Sequence, residues 1–287
     1  MEIQQRSIEI TAKDGRKLSG VLVAPANIRL SVLISSAVAI PKERYLNFAT
    51  ELAGRGAAVL LYDYRAQAAS VQGDIRKDLA GPTDWGRLDM DAAIRQLDQL
   101  YPELPMTAVE HSVGAWVLGL CENQARISRH AFVCAGWGYV KLKPLPFRFL
   151  EQFFWHVYGP LCIKSRGHIP KGGLWKGEAI NPKFFAEWRA WCHTPMCTPE
   201  LLAGGKSKPQ FFAKVRAPIR SFAYDDDPIA NRRTVPRILA LYPEADTQAI
   251  WAAPRDHGLE RIGHEGLFSR KARQAWNPIF DWIAPVE

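Results

Sequence analysis

The sequence predicts an α/β fold: one mostly parallel sheet, flanked by helices and interrupted by an inserted segment. Three observations carry that expectation. Short apolar runs of strand length alternate with helical stretches from Ser31 to Ala135, the pattern of βαβ units. The rhythm stops between Val140 and about Pro209, where aromatics, prolines, glycines and basic residues crowd together. It returns from Ile219 onward, and two α/β pieces around an irregular middle are more economically one sheet with an insertion than two folds. The expected organisation is a core in two parts, residues 1–139 and 209–287, with an inserted cap at 140–208.

Ser7 to Thr11 alternates as a strand should, and Asp14-Gly15 turns it back into Lys17 to Val23 as a hairpin. Ser31 to Ser36 reads as a buried strand, Tyr45 to Gly54 as a helix and Ala57 to Tyr62 as the next strand. A loop at Ala66 to Thr83 leads to a helix over Asp84 to Leu100, a strand over Met106 to Glu110 and a helix over Val113 to Glu122. Ala131 to Ala135 is a further strand before Gly136-Trp-Gly138. After the insertion come a strand at Ile219 to Tyr224, a helix at Arg232 to Tyr242, a strand at Thr247 to Trp251 and a last helix at Arg270 to Ile283.

Composition narrows the function classes. With 47% hydrophobic and 23% charged residues among 287, the chain has ample apolar material for a core, which excludes intrinsic disorder for most of it. Its net charge of +8 could attract acidic partners, yet no RNP-like, helix-turn-helix or zinc-finger signature turns that charge into a nucleic-acid reading. The polar start lacks the apolar stretch of a secretory signal. No run reaches the roughly 18 apolar residues of a membrane span, so a cytoplasmic location is expected. Cys121, Cys134, Cys162, Cys192 and Cys197 are odd in number and contain no CxxC pair, which argues for packed thiols rather than disulfides or a zinc site.

The sharpest local feature is Val109-Glu-His-Ser112-Val-Gly114, placed where a strand turns directly into a helix. A serine on such a turn stands exposed at the carboxyl edge of the sheet, with the next backbone N–H free for an oxyanion. The pattern matches a G-x-S-x-G nucleophile elbow except at its first glycine, which here is Glu110. A serine that merely caps the following helix is the bland alternative. Order favours the chemical reading, because an acid and then a base must follow the serine: Asp225-Asp226-Asp227 follows the strand ending at Tyr224 and Ile262-Gly-His264 follows the one ending near Trp251.

At these residues the chain resembles the α/β-hydrolases related to serine aminopeptidases. The resemblance covers nearly the whole length: Leu33 to Pro41, Phe48 to Tyr64 with Tyr62-Asp-Tyr-Arg65, Asp84-Trp-Gly-Arg-Leu-Asp89, the elbow, Glu187-Trp-Arg-Ala-Trp-Cys192, Asp226-Asp227 and Ile262-Gly-His264. It implies an α/β-hydrolase fold and a triad of Ser112 as nucleophile, His264 as base and Asp227 as orienting acid. Asp225 and Asp226 remain open as the acid, and His257 beside Asp256 is the competing histidine. Val113 and either Ala37 or Val38 would supply the oxyanion N–H groups.

The implied activity is cleavage of an ester, thioester or amide of a small hydrophobic acyl group, with no metal or organic cofactor; the oligomeric state is left open. An acyltransferase, or an inactive relative that only binds a ligand, is the alternative. Glu110 and Ala115 depart from the elbow pattern. On a steric reading Glu110 crowds a strained turn, so Glu110→Gly would keep the fold and the activity; on a second reading its carboxylate serves the imidazolium or the substrate. In the insertion, Phe147, Leu150, Phe153, Phe154, Val157, Tyr158 and Leu161 recur at helical spacing, suiting an apolar substrate wall, a membrane contact or packing onto the sheet. Lys141, Lys143, Arg148, Lys164, Arg166, Lys171 and Lys176 make the same region basic, which suits ordinary solvated charge or, as a functional alternative, a rim that would favour a carboxylated substrate.

Overall fold

A computed structural model describes residues 2–285; Met1, Val286 and Glu287, at the outer ends of the expected core, lie outside the described residues. Eight strands form one sheet: β1 (Ile3–Thr11), β2 (Lys17–Pro25), β3 (Leu30–Ser35), β4 (Ala57–Tyr62), β5 (Met106–His111), β6 (Ile127–Val133), β7 (Ile219–Tyr224) and β8 (Thr247–Ala252). Their order across the sheet is β1-β2-β4-β3-β5-β6-β7-β8. Only β1 with β2 and β2 with β4 run antiparallel. The opening hairpin pairs Ile3 with Pro25 through Thr11 with Lys17 around Gly15, whose φ of +85° suits a residue without Cβ.

β3, β4 and β5 are buried throughout, as strands covered on both faces must be. Their side chains divide by parity between two apolar layers. Leu33, Leu60 and Ala108 join Trp85, Ile94 and Leu97 on one face. Val32, Ile34 and Val109 join Phe48, Trp276 and Phe280 on the other.

Tyr62-Asp-Tyr-Arg65 and Asp84-Trp-Gly-Arg-Leu-Asp89 lock the carboxyl end of β4. Arg65 Nε donates to Asp89 Oδ1 at 2.7 Å, its Nη1 reaches Asp14 Oδ2 at 2.7 Å, and its carbonyl accepts from the Trp85 indole. Tyr64 stacks on Trp85 with ring centroids 4.3 Å apart. Asp63 accepts from both the backbone N–H and the ammonium of Lys42, at 2.8 and 2.7 Å. The Arg65–Asp89 and Lys42–Asp63 pairs are buried, and each carboxylate also accepts from a backbone N–H, the condition under which burial of charge is tolerated; Asp14 stands at the surface.

Several helices differ from expectation. The helix after the elbow covers only Gly114–Val117, with a 3-10 turn at Leu118–Leu120, instead of running to Glu122. Phe212 fills the space where a Cβ on Gly119 would stand and Phe211 N–H takes the Gly119 carbonyl, so the chain leaves the helix there. The expected Arg232–Tyr242 helix shrinks to Val235–Leu239, with Pro236 in its first turn. The last one splits into a 3-10 stretch at Arg270–Ala275 and a helix at Asn277–Ile283, because Pro278 fits only a first turn. The helix expected from Asp84 begins at Pro82 and passes through a π turn at Trp85–Met90. β6 ends at Val133 rather than Ala135, with Cys134 already at a φ of +49°.

Between β6 and β7 the chain adds no strand to the sheet, but it is more regular than its composition suggested. A continuous helix spans 147–166, with a π turn at Phe154–Tyr158, and two more follow at Pro182–His193 and Pro199–Ala203. The helical spacing of the aromatics was visible, but the internal Gly159-Pro160, which follows the π turn, concealed that one helix runs through it. Trp155, Phe184 and Trp191 join the same apolar layer as Trp85 and Trp116. Glu187 anchors the segment by accepting from the Thr83 hydroxyl and, at 3.3 Å, from its N–H.

Candidate active site

Ser112 follows β5, the strand between β3 and β6, so it stands in the middle of the carboxyl edge of the sheet. Its φ of +53° is a strained conformation for a residue with a Cβ. The turn is held from both sides: Ser112 N–H donates to Val133 O at 3.0 Å, and its carbonyl accepts from Ala115 N–H at 3.1 Å. Gly114 is what makes room. A Cβ there would lie 3.2 Å from that of Ser35 and 3.3 Å from that of Glu110.

The loops after β7 and β8 bring the other two expected residues to this point. Ser112 Oγ lies 2.9 Å from His264 Nε2, and His264 Nδ1 lies 2.8 Å from Asp227 Oδ2. With a carboxylate facing Nδ1, the ring carries its proton there, which leaves the Nε2 lone pair for the serine hydroxyl. Asp227 is buried, which by itself pushes its carboxyl up. The facing His264, with the N–H groups of Ile229 and Ala230 at 2.7 and 3.0 Å, outweighs burial and holds it below the ordinary value.

The three consecutive aspartates divide cleanly. Asp226 turns its Oδ2 to the N–H groups of Ile262 and Gly263, both at 2.9 Å, and so fixes the loop that presents His264. Gly263 needs its φ of +60° to make that turn. Asp225 pairs with Arg232 at the surface. His257 stands elsewhere, in the turn Pro254–His257 with its ring against Tyr224.

Of the expected oxyanion donors, Val113 N–H and Val38 N–H border the cavity and donate to no group among the described residues. Ala37 differs: its N–H is already given to Tyr45 Oη at 3.0 Å. That bond begins a chain absent from the sequence reading. Tyr45 Oη donates to His111 Nδ1 at 2.7 Å, and His111 Nε2 donates to the backbone carbonyl of His264 at 2.9 Å. Burial, with help from the neighbouring His264, pulls the His111 pKa down to about 3, so the ring is neutral and can play both parts. One buried imidazole thereby ties the loop after β3, the elbow and the loop of His264 together. Its position directly before Ser112 was the available signal; its partner Tyr45 read only as the start of a helix.

Glu110 fits neither reading made from the sequence. Its side chain is buried away from the cavity and meets His130 Nδ1 at 2.7 Å. Burial raises its carboxyl above the ordinary value against the pull of His130. It neither crowds the turn, which Gly114 relieves, nor reaches the imidazole of His264.

Ser112, His264 and Val38 open onto a cavity of about 800 Å³. Its far wall comes from the 140–208 segment: Phe147, Leu150, Phe154, Trp155 and Trp188. The bases of the inserted segment form no rim to this cavity, which leaves the exposed ones as solvated charge. Of the seven bases named, Lys143 alone lines the cavity, and it is bonded to Glu151. Arg44, Arg261 and Lys271 contribute the other cations of the lining. All five cysteines are free thiols, four of them buried. Among the described residues no helix is long and apolar enough to cross a membrane.

The strand order, with one antiparallel excursion at β2, and the strand-to-helix turn at Ser112 define an α/β-hydrolase fold. No family model matches the sequence, and no curated protein does. Solved structures do. An esterase from Pyrococcus furiosus is 16% identical, with a TM-score of 0.61 over 98% of this chain and 92% of that one. A highly thermostable carboxyl esterase from Bacillus coagulans, solved with glycerol, is 14% identical, with a TM-score of 0.64 over 100% and 99%. DcsB, solved with a substrate analogue, is 13% identical, with a TM-score of 0.67 over 99% and 100%. At such identities the likeness establishes the fold.

Proposed function

We propose that the protein is a serine hydrolase that cleaves esters of apolar acyl groups, with residues 140–208 acting as a cap over a core of residues 1–139 and 209–287. The observation that carries this reading is the unbroken chain Ser112, His264, Asp227 at the carboxyl edge of the sheet, with distances of 2.9 and 2.8 Å. Two of the structural neighbours, themselves esterases, support it.

In this reading Ser112 Oγ attacks the ester carbonyl while His264 Nε2 takes its proton, and Asp227 steadies the imidazolium. The N–H groups of Val113 and Val38 receive the developing oxyanion. His264 returns the proton to the departing alkoxide, and a water activated by the same imidazole releases the acid from Ser112. The aromatic wall favours an apolar acyl chain, each buried methylene contributing about 0.8 kcal/mol. Side chains and backbone supply the nucleophile, base, orienting acid and oxyanion donors for a small-molecule substrate, and water completes the cycle. Its test is Ser112→Ala: turnover of a short p-nitrophenyl ester should vanish while the thermal midpoint stays near that of the wild type. Equal turnover in the two proteins would refute the assignment.

A further inference from the structure

The 147–166 helix has two apolar faces, and only one of them has a partner. Phe154 and Trp155 face the cavity. Phe149, Phe153, Val157 and Leu161, each four residues from the last, stand in solvent at 65%, 47%, 42% and 60% exposure. Leu150 is 67% exposed and also lines the cavity, so the outer stripe is continuous with the entrance to the site. Leu174 repeats this on the neighbouring turn, lining the cavity while standing in solvent, beyond Gly172 and Gly173 with φ of +91° and +68°. Trp175 packs that turn onto Phe154, with centroids 5.0 Å apart.

Within residues 140–178 the unpaired charge has one sign. Glu151 and Glu178 are the only acids between 140 and 178, and both are bonded to lysines, Lys143 and Lys171. Lys141, Arg148, Lys164, Arg166 and Lys176 carry no ion pair among the described residues. A contiguous apolar stripe of this size is unusual on a surface that meets only water. Apolar residues flanked by unpaired cations are the composition of a helix that lies in a lipid interface, where the chains receive the apolar groups and anionic headgroups the cations.

We infer that the outer face of the 147–166 helix docks on an anionic lipid surface, which places Leu150, Leu174 and the cavity entrance at the acyl chains. The inference goes beyond the hydrolase reading, since adsorption to lipid needs no turnover. It is tested by cosedimentation of the full chain with vesicles of phosphatidylcholine alone and of phosphatidylcholine and phosphatidylglycerol in equal parts.

Binding to the mixed vesicles should exceed binding to the neutral ones by at least about tenfold, and should weaken about tenfold as salt rises from about 0.1 to about 1 M. The triple variant Phe149→Ser, Phe153→Ser, Leu161→Ser should lose binding while keeping the wild-type near-UV circular dichroism and turnover of a short soluble ester. Lys164→Glu with Arg166→Glu should lose the preference for the mixed vesicles. Wild-type protein that stays in the supernatant would overturn the inference. So would a triple variant that still sediments, or a wild-type dimer in light scattering that the triple substitution converts to a monomer without vesicle binding. Because sedimentation is read separately from ester turnover, failure of one claim leaves the other standing.

Discussion

The sheet edge and the 140–208 segment place their side chains by different means. At the edge the groups around Ser112 are held by hydrogen bonds: His264 by Asp227 and, through its carbonyl, by His111; Asp227 by Ile229 and Ala230 of its own loop; the β3 loop by Tyr45. The cavity wall opposite is held by ring contacts, such as Phe154 with Trp175 and Trp155 with Trp188, centroids 5.0 and 4.6 Å apart. Directional bonds fix a reacting geometry to a few tenths of an ångström, whereas apolar contacts tolerate changes of shape. The edge is therefore where substitution should abolish chemistry, and the wall where it should retune the substrate.

The largest effect should come from the aspartates. Asp227→Asn is expected to lower the turnover number by about 10³ to 10⁴, as loss of the orienting acid does in a serine protease. Asp226→Asn should cost about tenfold, since a carboxamide oxygen can still accept from Ile262 and Gly263, and Asp225→Asn should leave the rate unchanged. Initial rates on one soluble ester rank the three. A ranking led by Asp226 would show that loop placement outweighs the contact with the imidazole.

Glu110 sharpens the contrast within the edge itself. Glu110→Gly would leave His130 buried without its partner and open a void, so the protein should lose about 3 kcal/mol of stability in urea unfolding. Glu110→Gln keeps the shape and a hydrogen-bonding group and should lose less than half as much. Equal stability of the glycine variant and the wild type would restore the steric reading of this position.

His111 gives the pH test. Its folded pKa of about 3 lies below the ordinary histidine value of 6.5, so the unfolded chain binds the proton more readily. The stability this contributes is complete above about pH 6.5 and drains away as pH falls toward about 3. His111→Gln should flatten the fall in urea midpoint across that window relative to the wild type. Parallel curves would mean that His111 is not held neutral.

The smallest effect is expected at the wall. Phe154→Ala should shift preference between hexanoate and acetate esters by about tenfold in kcat/KM, with the acetate rate nearly unchanged. A comparable loss on acetate would place Phe154 with the groups that govern the chemistry.

These contrasts also explain what could be read in the sequence. The central strands were legible because burial on both faces leaves continuous apolar runs, Ser112 and Asp227 because each closely follows such a run, and His264 by its place after the last strand in the serine, acid, histidine order. Helix ends were not, since the Gly119 carbonyl just after Val117 is taken by the N–H of Phe211, from about ninety residues away. Likewise nothing local to Glu110 announces His130, nor does anything near Tyr45 announce His111: both partnerships cross between strands and loops that only the fold brings together. The regular helix at 147–166 was hidden by its internal Gly-Pro, although its aromatic periodicity was visible.

The proposed role of Ser112 is tested most directly by a fluorophosphonate, which forms a stable adduct with a serine only when a base has activated it. Incubation of the full chain, followed by digestion and mass mapping, should place one adduct on the peptide containing Ser112 and none in Asp227→Asn over the same time. An unlabelled wild type, or a label on any other serine, would contradict the account.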